Sequence, residues 1–128
     1  MKEPFDAQRG LVIVPVEISG PAGSAQLRLA LDTGATTTLI RSVHLEALGY
    51  DPALARERVQ MTTGSGVEFV VRLRIAQISA LGRCQLNFAV LGHTLPPSAA
   101  VDGLLGLDFL RGGRLEIDFQ SGFVQLDA

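Results

Sequence analysis

A chain of 128 residues can bury one hydrophobic core, and 47% hydrophobic against 19% charged residues favours a folded globule over disorder. A net charge of −2, two His, no Trp and no basic run give a nucleic-acid interface nothing to stand on, and no reason to expect an acidic membrane as partner. No segment approaches the length of a membrane span.

The first ten residues, Met1–Gly10, read as an N-terminal tail without the apolar stretch of a signal peptide, which favours the cytoplasm. From Leu11 to Ile18, Val12, Val14, Val16 and Ile18 share one face of a strand. After a turn at Gly20–Ser24, Leu27, Leu29 and Leu31 alternate with Gln26, Arg28 and Ala30 in a second strand. That strand runs straight into Asp32-Thr33-Gly34-Ala35, and the apolar pair Leu39-Ile40 follows three threonines. A carboxylate at the end of a buried strand is held rigidly and partly desolvated, as an acid/base group requires. Thr33 supplies a hydroxyl that can bond backbone and fix the local geometry. Gly34, without a Cβ, lets the chain turn sharply and a substrate backbone approach.

Ser42 is placed to cap a helix with Leu45 and Leu48 as its apolar stripe, Gly49 as its end and Pro52 after it. Met61–Glu68 reads as a hairpin with Gly64-Ser65-Gly66 at its tip. The strand that follows alternates Val67, Phe69, Val71, Leu73 and Ile75 with Glu68, Val70, Arg72, Arg74 and Ala76. A turn at Ala80-Leu81-Gly82 leads to another strand marked by Leu86, Phe88 and Val90. Cys84 is the sole cysteine, so an intramolecular disulfide is impossible, and its neighbours suggest a small core hydrophobe. Beyond Pro96-Pro97 comes VDGLLGLDFL, Val101–Leu110, in which Leu107–Leu110 reads as a short turn of helix. Leu115, Ile117 and Phe119 mark a strand, Gln120-Ser121-Gly122 a turn, and Phe123–Leu126 a last strand. Short strands at this spacing predict an all-β fold, a small closed β-barrel with one or two short helices, in a single domain over 1–128. Closure also removes exposed sheet edges.

Leu31-Asp32-Thr33-Gly34-Ala35 resembles the catalytic loop of the retropepsin-like aspartic proteases, which include retroviral enzymes and small bacterial relatives. Asp-Thr-Gly alone is a weak signal; its context carries the resemblance. Leu104-Leu105-Gly106 matches the apolar-apolar-Gly segment that in the family threads beside the catalytic loop and completes a ψ-shaped crossing. Leu107–Leu110 matches the short helix after it, and Met61–Glu68 sits where the family places its flap, a mobile hairpin closing over substrate. The likeness runs from roughly Leu11 to Leu126. Two departures stand out. Thr36 occupies a position where retroviral enzymes usually carry Asp, and the only tyrosine, Tyr50, lies outside the hairpin.

The resemblance implies an aspartic endopeptidase cutting extended polypeptide, with Asp32, Thr33 and Gly34 catalytic. It implies substrate contacts at Ala35, Thr62, Thr63, Gly64, Ser65 and Gly66. Such enzymes hold one water between two carboxylates, one acting as base and the other donating a proton to the carbonyl oxygen. Two carboxylates that close cannot both ionise, so the pair shares a proton. This chain has one Asp-Thr-Gly, and Asp102 and Asp108 lack the Thr-Gly support. The second carboxylate is therefore expected from Asp32 of another copy, in a homodimer with its two-fold axis between the loops. Chain termini often build the dimer sheet in the family, which makes Phe123–Leu126 the candidate here. Val67, Phe69, Leu95 and Val101 are candidates to face the cleft.

His44 and His93 lack the spacing of metal ligands, Asp102–Asp108 fails the calcium-loop pattern, and Gly64-Ser65-Gly66 has no phosphate-loop lysine. No metal or cofactor is expected. The alternative is a dimeric barrel that holds a peptide without cutting it, or serves only as a structural module. An intact Asp-Thr-Gly argues against that, because a binder has no need of an unpaired buried carboxylate at its two-fold.

Overall fold

The computed structural model describes residues 1–55, 57–63, 66–94 and 100–128. In chain order the strands are β1 (Lys2–Pro4), β2 (Ile13–Gly20), β3 (Gly23–Leu31), β4 (Leu39–Arg41), β5 (Glu57–Thr63), β6 (Gly66–Ala80), β7 (Arg83–His93), β8 (Gly103–Leu105), β9 (Arg114–Asp118) and β10 (Phe123–Asp127). Helix α1 (Ser42–Ala47) follows β4, a 3-10 turn covers Pro52–Leu54, and helix α2 (Leu107–Leu110) follows β8.

Seven strands form one sheet in the order β2-β3-β8-β4-β7-β6-β5, and β2 pairs back onto β6 at Ile18↔Ile78. That last pairing closes a barrel of all but β5, which hangs outside on β6. The alternation read in the sequence supplies the lining. Val14, Val16 and Ile18 of β2, Leu29 of β3, Ile75 and Ile78 of β6, Val90 of β7 and Leu105 of β8 are all 0% exposed. Each such side chain contributes roughly 1.5–3 kcal/mol by leaving water. Tyr50 strengthens the seam: its hydroxyl donates to Ser19 O at 2.7 Å and accepts from Ala76 N–H at 2.8 Å, bridging β2 and β6.

Four expectations are corrected. Part of the N-terminal segment is not a tail, because Lys2–Pro4 pairs with β10 and Phe5 N–H reaches Gly122 O. Ser42 is not the helix cap; α1 starts directly out of β4, with Arg41 at the cap position and no side-chain cap bond. Cys84 is exposed. Asn87 adopts a left-handed φ of 50°, which breaks the alternation of β7, so Phe88 and Val90 point inward while Cys84 and Leu86 point out. Finally, β10 lies between β1 and β9, with both of its edges paired inside the chain, so Phe123–Leu126 has no free edge to offer a second copy.

Candidate active site

Strand β8 decides the geometry around Asp32. It runs parallel to β3 (Leu29↔Gly103, Ala30↔Leu104, Leu31↔Leu105) and antiparallel to β4 (Leu39↔Leu104, Ile40↔Gly103). Consecutive strands β3 and β4 are therefore separated by a strand from far downstream, and the loop 32–38 arches over it. Asp32 N–H donates to Leu105 O at 2.9 Å, and Leu107 N–H donates to Ala35 O at 2.8 Å, so β8 and the start of α2 pin the loop from beneath. The approach is close enough to demand glycine. A Cβ on Gly106 would stand 2.8 Å from Ala35 O, and one on Gly103 would collide with Leu39 O.

Within the loop, Asp32 Oδ1 accepts the Gly34 N–H at 2.9 Å, and Ala35 N–H donates to Asp32 O at 3.2 Å. A Cβ on Gly34 would lie 3.2 Å from that same Oδ1, so glycine gives the carboxylate room to fold over its neighbour's amide. Asp32 Oδ2 has no hydrogen-bond partner among the described residues. Asp32 is half-buried and Thr33 exposed. The Thr33 hydroxyl makes no hydrogen bond among the described residues, so the local bracing expected of it comes from elsewhere.

The bracing comes from the third threonine and from Asp108. Thr38, 0% exposed, gives its N–H to both oxygens of Asp108 at 3.0 and 2.9 Å and its hydroxyl to Oδ1 at 2.7 Å. The same hydroxyl accepts Gly106 N–H at 3.1 Å, and Asp108 also receives Phe109 N–H at 2.9 Å. Asp102 performs a parallel task at the other end of β8. Its Oδ2 accepts Arg28 N–H at 2.9 Å and its Oδ1 lies 3.0 Å from His44 Nε2, tying β3 and α1 to the crossing strand. Both extra aspartates of the sequence are thus consumed by the scaffold. Neither was legible as such, because the partners in β3, α1 and the Asp32 loop lie 58 to 74 positions away.

An apolar row runs beside the loop on the face opposite the barrel core. Register alone places Ile13, Ala30, Leu104, Leu39 and Leu91 side by side across β2, β3, β8, β4 and β7. Val101 packs on Ile13 and Ala30, and Val70 on Leu39 and Leu91, with Leu104 touching both groups. Of the residues expected to face a cleft, Val101 therefore joins this row. Val67 pairs with Thr62 and Phe69 with Gln60 in the β5–β6 hairpin, whose last pair is Thr63↔Gly66, with Gly66 at φ +121°. Gly64, Ser65 and Leu95 lie outside the described residues. The row went unread because Leu29–Leu31, Leu39-Ile40 and Leu104-Leu105 bury both faces, and continuous apolar runs hide the second face from a period-two reading.

Among the described residues no group of three or more His, Cys, Asp or Glu could hold a metal ion, and no helix is long and apolar enough to cross a membrane. Residues 14–112 match the family described as gag-polyprotein putative aspartyl protease. The fold is similar to a retropepsin-like aspartic protease from Rickettsia conorii, with a TM-score of 0.72, 16% identity, and coverage of 99% of this chain and 89% of that one. It is also similar to EIAV protease, solved with the inhibitor HBY-793, with a TM-score of 0.58, 21% identity, and coverage of 81% and 88%. No curated protein sequence matches the chain. The two structural likenesses establish a retropepsin-like barrel.

Proposed function

The chain belongs to the gag-polyprotein aspartyl protease family, and from that membership and the state of Asp32 we propose an aspartic endopeptidase that works as a homodimer. The observation that carries this reading is a contrast among three carboxylates. Asp102 and Asp108 are bonded into the crossing through both oxygens, whereas Asp32 keeps one oxygen open at the surface of a loop pinned from below. One open carboxylate is half of an acid/base pair, and Asp32 of a second copy, across a two-fold axis, supplies the other half.

In that dimer the two carboxylates hold a water between them. One takes the water's proton as the oxygen attacks the scissile carbonyl carbon. The other, protonated, gives its proton to the carbonyl oxygen. The first then passes the water's proton to the leaving nitrogen as the C–N bond breaks, while its partner takes back a hydroxyl proton and the intermediate collapses to acid and amine. Asp32 N–H to Leu105 O and Gly34 N–H to Asp32 Oδ1 support this role, because they fix the carboxylate before substrate arrives. The exposed hydroxyl of Thr33 adjoins the proposed two-fold, and Gly34 and Ala35 leave the substrate backbone room. The β5–β6 hairpin, including Thr62, Thr63 and Gly66, is the proposed cover over bound polypeptide, and the apolar row from Ile13 to Leu91 is the proposed floor.

The test is digestion of a peptide library by the wild-type chain and by Asp32→Asn. The amide matches the carboxylate in shape but cannot act as the base, so cleavage should fall by about a hundredfold or more while fold and dimer persist. Equal cleavage by both proteins would remove Asp32 from the reaction. No cleavage by a verified wild-type dimer would leave a peptide-binding module as the surviving reading.

A further inference from the structure

The apolar row ends on charge. Leu91, its last apolar member, pairs with Arg72 of β6, and Arg72 pairs in turn with Glu57 of β5. Arg72 and Arg74 are two residues apart on one strand, so both guanidinium groups leave the same face, beside Leu91 and Ala89. With Ala55, Glu57 and Ala89 they line a cavity of about 340 Å³.

The two arginines differ in how far they are committed. Arg74 Nη1 donates to Asn87 O at 2.8 Å. Arg72 Nε is shielded from solvent and has no hydrogen-bond partner among the described residues; Glu57 Oε2 stands 3.8 Å away, beyond hydrogen-bond range. The Glu57 side chain is 65% exposed, so water competes for it and the pair is weak. A shielded guanidinium N–H without an acceptor is costly, and the acceptor that fits its fork is a carboxylate.

We infer that this cavity is a substrate subsite that takes an acidic side chain of the bound polypeptide, at a distance from the scissile bond. The inference rests on the peptidase reading for its geometry. Neighbouring strands lie about 4.8 Å apart, so Arg72 stands three strands, about 14 Å, along the row from Leu104, which adjoins the Asp32 loop. Extended peptide advances about 3.4 Å per residue, so the side chain reaching Arg72 belongs to a residue about four positions from the cleaved bond. A two-fold dimer presents one such cavity on each side, and the acidic preference should appear both before and after the bond.

The experiment reads binding rather than turnover. Immobilised peptides of one extended sequence, with Glu, Gln or Lys placed at each position in turn, are probed with the Asp32→Asn protein. Glu about four positions from the centre should bind about tenfold more tightly than Gln there. Arg72→Gln should erase that preference, and Arg72→Glu should turn it toward Lys, while circular dichroism checks that both variants fold. Glu57→Gln, which removes the weak competitor, should keep or sharpen the preference for Glu. Indifference to Glu against Gln at every position, a preference that survives Arg72→Gln, or no binding of any peptide would each overturn the subsite. Acid-dependent binding in a chain whose wild type cuts nothing would instead sink the peptidase reading and leave the subsite standing.

Discussion

The Thr38 hydroxyl lies 2.7 Å from Asp108 Oδ1 and 3.1 Å from the Gly106 nitrogen, so one buried side chain both donates to the carboxylate and accepts from the backbone joining β8 to α2. Thr38→Val keeps the shape and removes both bonds, leaving the buried Gly106 N–H without its acceptor and Asp108 Oδ1 with its two backbone donors alone. The expected loss is about 2–3 kcal/mol of stability, seen as a lower urea midpoint, and Thr38→Ser should recover most of it. An unchanged midpoint for the valine variant would show that the clamp contributes nothing.

If each chain carries half a site, specific activity must depend on concentration. Dilution through the dimer dissociation constant should abolish cleavage. Two copies joined by a flexible linker should resist that loss, because the linker holds the halves at high effective concentration. Full activity from a chain shown to be monomeric by sedimentation would rule out the shared site.

Asp118 offers a test of pH dependence away from the site. The Ser121 N–H holds its carboxyl below the usual value of 3.8; desolvation opposes this, and the Gln120 N–H, the Ser121 hydroxyl and the Lys2 charge assist. A carboxyl lowered on folding stabilises the fold above its unfolded value, and that contribution fades as pH falls through the folded one. Thermal midpoints of the wild type should therefore drop more steeply below about pH 4 than those of Asp118→Asn. Parallel acid limbs would show that the turn at Gln120–Gly122 does not depend on the charge.

Much of this was legible in residue order. Asp32 stands at the end of an alternating strand, Leu104-Leu105-Gly106 crosses beneath it, and Gly49 follows the helix marked by Leu45 and Leu48, as local pattern predicts. What stayed hidden depends on partners distant in sequence or on a single backbone angle. Thr38 and Asp108 looked like a spare threonine and a spare aspartate until folding put them together. Cys84 and Leu86 keep the parity of Phe88 and Val90, and only the left-handed φ at Asn87 turns them outward. Lys2–Pro4 carries no strand signal of its own and is ordered by the edge that β10 presents.

The insertion of β8 between β3 and β4 also governs when the barrel can form. As the chain emerges from the ribosome, β3 and β4 have edges that cannot be satisfied by each other in the native register. The interval from Arg41 to Leu105 takes on the order of several seconds at about 5–20 residues per second. Through that time Leu29, Leu39 and Ile40 remain without their central neighbour. Pairings this distant are slow to close, and folding on the scale of milliseconds to seconds is the expectation. Until Gly103–Leu105 arrives, nothing tethers the Asp32 amide, so a half-made chain cannot hold its aspartate in working order.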